Sequence, residues 1–183
     1  SIDDASNLLK GGNGVEPIEA LRAGEPEAID WLVNSYADRL LRAATLILGD
    51  RYVAEDVVQE SLMNAVLHLP HFRGDSSLYT WLYAIMIRRC RRLQGKAFWA
   101  KAVTLSPDFL GNLSFAEHTE KRLDVRSALR MLPFNYREVI VLFYFEELTI
   151  HEISRLLSIP EGTTKNRLYR ARVKLKELLG EDR

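Results

Sequence analysis

Apolar side chains recur at steps of three and four along most of this chain, the period of a helix with one buried face. Ile29, Leu32, Val33, Tyr36, Leu40, Ala43, Ala44 and Ile47 keep that rhythm between Glu25 and Gly49. Glu25, Glu27 and Asp30 open this helix, where acids suit the macrodipole, and Pro26 stands where a first-turn proline is tolerated. A second helix is predicted over Ala54–Leu69, burying Val57, Val58, Leu62, Ala65, Val66 and Leu69 and stopped by Pro70. Its polar face carries Glu55, Asp56, Gln59, Glu60 and Asn64. HFRGDSS, residues 71–77, reads as a turn built on Gly74 and Asp75, with Ser76 or Ser77 able to cap the next helix. That third helix, Leu78 to about Leu93, sets Leu78, Trp81, Leu82 and Ile85 towards a core and ends in RRCRR. Tyr79 and Tyr83 lie on another flank, where packing and base stacking fit equally well.

The period is lost from Gly95 to about Glu120, a stretch broken by Gly, Pro and Asn. It reads as a linker between two helical domains, and Phe98, Trp99, Phe109, Leu110, Leu113 and Phe115 make it unusually apolar for a tether. Helical period returns from about Lys121 to Met131 and again after Pro133, where Asn135 is expected to cap a helix burying Val139, Leu142 and Phe143. Thr149 with Glu152 three residues on is a capping box for a helix carrying Ile150, Ile153, Leu156 and Leu157. Ser158, Ile159 and Pro160 interrupt it. Thr164, Leu168, Ala171, Leu175 and Leu178 then mark one face of a final helix, and Lys165, Arg167, Arg170, Arg172, Lys174 and Lys176 make its free side cationic. A helix, a tight turn and a helix with a basic outer face suit a DNA major groove. The expected fold is all-α: a flexible N-terminal tail over 1–15, one helical bundle over 16–94, an irregular linker over 95–120, and a four-helix bundle with a helix-turn-helix over 121–183.

Charge sharpens this division. The 25 basic and 25 acidic side chains cancel, yet residues 1–60 carry a net −7, 61–110 a net +5, 111–160 a net −1 and 161–183 a net +3. Two basic surfaces fit a polyanion, and an acidic one fits a protein partner or solvent. The chain's one cysteine, Cys90, excludes an internal disulfide and a Cys-rich zinc site. His68 and His71 straddle Pro70 without a nearby acid or thiol, so no metal is expected. Neither a signal peptide nor an apolar run near the ~18 residues that span a bilayer is recognisable, which fits a cytoplasmic protein. Nucleophile–base pairs, carboxylate pairs and phosphate-cradling glycine loops are all lacking, so neither catalysis, a cofactor nor a small-molecule substrate is expected.

AEDVVQESLMNAV at 54–66, FRGDSSLYTWLYAI at 72–85, LPFNYREVIVLFYFEELTIHEIS at 132–154 and IPEGTTKNRLYRAR at 159–172 occur in this order. Together they resemble bacterial sigma factors of the extracytoplasmic-function (ECF) group, which keep only the regions called two and four. The resemblance covers about Glu25–Leu93 and Val125–Leu179. It implies a promoter-specificity subunit that binds core RNA polymerase and assists strand opening. Asp56, Gln59 and Glu60 would meet the clamp coiled coil of the polymerase largest subunit, and region four would meet its flap. Phe72, Arg73, Gly74, Asp75, Ser76, Tyr79 and Arg88 would contact the minus-ten element and its non-template single strand. Thr163, Lys165, Asn166, Arg167, Arg170 and Arg172 would read the minus-thirty-five duplex. The linker would thread towards the RNA path, and the family's habit implies an anti-sigma partner, which could hold the protein at the inner membrane face. Where this chain has Arg88, family members often have Asn, and where it has Thr164 and Asn166 they often have Val and Ser. The residues alone also fit a helix-turn-helix regulator that acts without being a polymerase subunit.

Overall fold

The computed structural model describes residues 16–104, with side chains as far as 95, and residues 124–180. Among the described residues all regular structure is helical. The expected tail over 1–15 and the linker from 105 onwards lie outside them.

A short helix that the periodicity did not reveal, α1 (Ile18–Ala23), precedes α2 (Pro26–Leu48), in which Pro26 does occupy the first turn. Helix α3 (Arg51–His68) starts three residues earlier than Ala54, because the Asp50 carboxylate accepts from the Tyr52 and Val53 amides at 2.8 and 3.2 Å. Pro70 sits in a single 3-10 turn, Leu69–His71, that closes this helix. Ser77 then caps α4 (Leu78–Thr104), its hydroxyl accepting from the Thr80 amide at 3.1 Å. The expected end near Leu93 is passed, so residues 95–104 of the anticipated linker belong to a helix of 27 residues. One glycine costs only about 1 kcal/mol in a helix interior, and Gly95 therefore does not stop it.

In the C-terminal part, Asp124 caps α5 (Val125–Met131) through the Ser127 amide. Helix α6 (Phe134–Ile140) begins directly after Pro133, so Asn135 lies inside it rather than at its cap. Proline's fixed φ and missing N–H suit that entry. A wide π turn, Val141–Phe145, comes next, and then α7 (Ile150–Leu157) with the expected capping box in place. Ser158 takes a left-handed conformation (φ 53°) and lets the chain turn into α8 (Glu161–Leu179).

Helices α2, α3 and α4 pack on one another around Leu32, Leu40, Ile47, Val57, Leu82 and Met86. Helices α5, α6 and α7 pack with α8 around Leu129, Val139, Ile153, Leu157, Leu168 and Ala171. The two halves are not separate cores. Helix α2 touches α5, α6 and the π turn, α4 touches α7, and the buried apolar residues of both halves form one continuous cluster.

Two buried carboxylates seal this junction. Glu146, 5% exposed, accepts from Arg39 Nε at 2.9 Å and from the Tyr79 and Tyr83 hydroxyls at 2.6 Å each. Glu138, 1% exposed, is gripped at both oxygens by Arg91, whose Nη1 also donates to the Leu157 carbonyl at 2.8 Å. Each carboxylate comes from the C-terminal half and its principal donors from the N-terminal half. Tyr83→Phe removes one hydrogen bond to a buried charge and should lower stability by about 1.5–3 kcal/mol in urea unfolding of the full chain. Thr149→Ala removes a cap and should cost about 1 kcal/mol. The Thr149 amide and hydroxyl hold the Glu152 carboxyl below its ordinary value, so the native state binds this proton more weakly than the unfolded chain does. The carboxylate's part of the capping is complete above the ordinary carboxylate range and fades as pH falls through the depressed value; Thr149→Ala removes only the hydroxyl's share of it, so the gap between wild type and Thr149→Ala should narrow without closing in acid unfolding titrations.

Candidate polymerase and nucleic-acid interfaces

Helix α3 buries Ala54, Val57, Val58, Ser61, Leu62 and Ala65 against its neighbours and leaves the opposite face free. On that face Tyr52, Asp56, Gln59, Met63 and Leu67 follow one another at steps of four, three, four and four, which aligns them along the helix. Tyr52, Met63 and Leu67 are 83%, 62% and 74% exposed. Three large apolar side chains on one solvent-facing stripe mark a surface made to be covered. Asp56 and Gln59 sit within the stripe as expected, but Glu60 is drawn aside into an ion pair with Arg89 of α4. The apolar members escaped the sequence reading because a helix with apolar residues on both faces has no single buried stripe. The signal was their register with Asp56.

The minus-ten candidates divide between surface and interior. Arg73, Gly74 and Asp75 are exposed at the loop tip, where Arg73 pairs with Asp75 at 3.1 Å and Gly74 takes φ 79°. Ser76 beside them is half-buried. Phe72 points inward instead. It is 6% exposed, its ring lies 5.0 Å from that of Trp81, and its carbonyl accepts from Arg22 Nε and Nη2 at 2.9 and 2.6 Å. Phe72 thus anchors the loop, since an apolar ring beside a core cleft gains more from burial than from water. Tyr79 is half-buried, with its hydroxyl on Glu146 and the Arg39 guanidinium 4.1 Å from its ring centroid. Burial and the Glu146 hydrogen bond push both the Tyr79 and Tyr83 hydroxyls well above their ordinary pKa, so they are donors at any physiological pH. Arg88 is exposed, and with Arg89, Arg92, Asn64, His68 and Trp81 it rims a hollow of about 360 Å³. That basic and aromatic hollow, absent from the expected set apart from Arg88, needed the crossing of α3 and α4 to bring its walls together.

Helix α8 keeps the predicted division. Thr164, Leu168 and Ala171 are buried, Leu175 and Leu178 half-buried, and Lys165, Asn166, Arg170 and Arg172 exposed. Arg170 Nε donates to the Asn166 side-chain oxygen at 3.1 Å, so these two share one patch. Thr163 is half-buried at its edge. Arg167 leans away from the patch towards Glu138, 3.4 Å from its Oε1. Arg172 turns instead towards Tyr144, its Nη1 donating to that hydroxyl at 3.5 Å, and with Val125, Leu129, Ile140, Phe145 and Leu175 it lines an apolar groove of about 330 Å³. Cys90 is fully buried, and burial, followed by the nearby Glu138, pushes its thiol up to about 12. It is a core residue without thiolate character near neutral pH.

A helix-turn-helix with a cationic outer face, packed on a second helical domain with its own basic hollow and a mixed acidic and apolar stripe, defines a two-domain protein of transcription. Comparison with known proteins agrees. Residues 32–99 match sigma-70 region 2, and residues 122–175 match sigma-70 region 4. The chain is 32% identical over 156 residues to the ECF RNA polymerase sigma factor SigM of Bacillus subtilis, covering 82% of this chain and 94% of that protein. It is 31% identical over 169 residues to the RNA polymerase sigma-H factor of Pseudomonas aeruginosa, covering 85% and 88%. Among solved structures it is similar to CnrH in complex with the cytosolic domain of CnrY, with a TM-score of 0.66 at 25% identity over 91% of this chain and 96% of that one. It is also similar to the sigma factor RpoE in complex with the anti-sigma factor NepR from Bartonella quintana, with a TM-score of 0.65 at 26% identity over 84% and 98%. The chain belongs to the ECF sigma factors of RNA polymerase. No helix among the described residues is long and apolar enough to cross a membrane.

Proposed function

We propose that this sigma factor docks on core RNA polymerase through the α3 stripe and the apolar groove of the C-terminal domain, and reads promoter DNA with the loop after α3 and with α8. The observation that carries this reading is the α3 stripe. Exposed Tyr52, Met63 and Leu67 supply apolar area, and Asp56 and Gln59 supply the acid and amide that set register on a basic helical partner. The largest-subunit clamp coiled coil has that chemistry, and an apolar flap helix suits the groove beside Tyr144 and Phe145. An autonomous regulator would use such a stripe only to dimerise, so binding to core polymerase separates the two readings. The protein acts as a binding subunit in the cytoplasm and performs no catalysis of its own.

On DNA, Arg73, Asp75, Ser76 and Arg88 offer polar and cationic groups for an unstacked non-template base and its phosphates, with Trp81 at the hollow as the nearest exposed ring edge. Lys165, Asn166 and Arg170 face a minus-thirty-five major groove, Asn suited to adenine and Arg to guanine. Thr163 flanks that patch, while Arg172 turns to the apolar groove. Tyr79 is engaged across the junction by Glu146, so it reaches DNA only when the domains part, whereas Arg167 leans on Glu138 within its own domain. The two solved relatives held by anti-sigma factors or by a cytosolic partner domain support an anti-sigma partner here as well.

The direct test is initiation. Purified bacterial core polymerase mixed with this protein should form a stable complex and start specific transcripts on a cognate promoter; a protein that bound duplex but never core enzyme would be the autonomous regulator instead. Asp56→Ala with Gln59→Ala, or Leu67→Ser alone, should weaken core-polymerase binding about tenfold or more in a pull-down titration while leaving duplex binding unchanged. Arg170→Ala should do the reverse. It should cost about 1–3 kcal/mol in binding to a minus-thirty-five duplex by fluorescence anisotropy, the worth of one good base contact. Lys174→Ala, a phosphate contact, should instead lower the salt slope by about 0.9.

A further inference from the structure

The buried ionic groups at the domain junction are satisfied with one exception. Arg137 of α6 is 8% exposed, belongs to none of the ion pairs among the described residues, and keeps its Nε buried without a hydrogen-bond partner. Burial holds its guanidinium below the ordinary value. A buried cation without a counter-charge is costly, and where one persists a missing anion is the first explanation to test.

Arg137 is not in the wall of the neighbouring cleft but lies against a glycine that is. Arg137 Nη1 stands 3.0 Å from the point where a side chain on Gly49 would begin, so glycine is needed there for space as well as for its φ of 77°. Gly49 is in turn part of the wall of a cleft of about 490 Å³ at the domain junction. One wall is α2 and the start of α3, bringing Arg42 and Arg51; the other is α5, bringing Arg126 and Arg130. Arg51 is matched by Glu55, and Glu146 at the cleft edge is matched by Arg39. What is left is three exposed cations, Arg42, Arg126 and Arg130, against Asp38 in the wall and Asp124 beside the two α5 arginines, with Arg137 behind them. The volume falls in the range of small-ligand pockets. Guanidinium forks match phosphate oxygens in paired hydrogen bonds.

We propose that this cleft binds a multivalent phosphate anion of the diphosphate or triphosphate class, its oxygens reaching Arg42 on one domain and Arg126 and Arg130 on the other. Multivalency comes from the placement of the cations, since a single phosphate on one wall leaves the other wall's charge unmatched. Because the walls belong to different domains, the site exists only while they are closed. A ligand bound there stabilises the arrangement that occupies Tyr79, and so opposes promoter engagement through that side chain. The phosphates are those of a free small molecule, since DNA held in the cleft would be aided by closure rather than opposed by it.

The test uses the full chain and inorganic tripolyphosphate as probe, followed by calorimetric titration at fixed salt. Arg126→Ala with Arg130→Ala should weaken tripolyphosphate binding at least tenfold, and Arg42→Ala, a single change on the other wall, by a comparable factor. Tyr83→Phe leaves every cleft charge in place but loosens the junction, and should weaken binding severalfold. Circular dichroism of each variant confirms that the helices are intact. A random-sequence duplex titrated in parallel is the control: if tripolyphosphate does not bind but duplex affinity falls tenfold in the Arg126 and Arg130 variant, the cleft is a DNA-backbone contact and the proposal fails. Binding of both probes that is indifferent to Arg42, Arg126 and Arg130 would assign the charge to α8 and overturn the site.

Discussion

The arrangement of this molecule depends on two glutamates that have been taken out of water. A carboxylate loses most of its hydration on burial, and that loss is tolerable only where several donors converge on it. Glu146 finds them in Arg39, Tyr79 and Tyr83, and Glu138 in Arg91 with a longer contact from Arg167. The carboxylates and their main donors are on different domains, so neither domain can satisfy its own part of the network alone. The interface is therefore specific in register: a slide of one helical turn would strand a charge.

Function draws on the same side chains. Tyr79 stands at a position that the family resemblance assigns to DNA, yet in the closed molecule its hydroxyl faces Glu146 of the other domain. The α3 stripe does not share this conflict, because Tyr52, Asp56, Gln59, Met63 and Leu67 point away from the junction and stay available for a protein partner. Contact with such a partner and closure of the domains are thus separable on the surface. Contact with DNA through Tyr79 and closure are not. The arginine cleft lies at the same seam, where a ligand touching both walls has leverage over that balance.

Much of this was legible in the chain. Periodicity located seven of the helices, the Thr149–Glu152 capping box and Pro160 fixed the turn before α8, and the basic side of α8 was read correctly. The errors cluster at ends and in short elements. Asp50 moved the start of α3, Gly95 failed to end α4, Pro133 displaced Asn135 from its expected cap, and α1 was too short to show a period. Local propensity near a helix end is worth about a kilocalorie or less, and packing readily overrides it.

The sequence by itself determined which segments are helical, which face of each is apolar, where the charges concentrate, and the family to which their order belongs. These depend on neighbours within one or two turns, and such neighbours are fixed by spacing along the chain. Tertiary structure alone decided that Glu138 and Glu146 are buried, that Phe72 is an anchor, that Glu60 belongs to Arg89, and that four arginines from two domains share a cleft. Each of those joins residues far apart in sequence across a helix crossing. The burial that makes them matter exists only once the two domains have met.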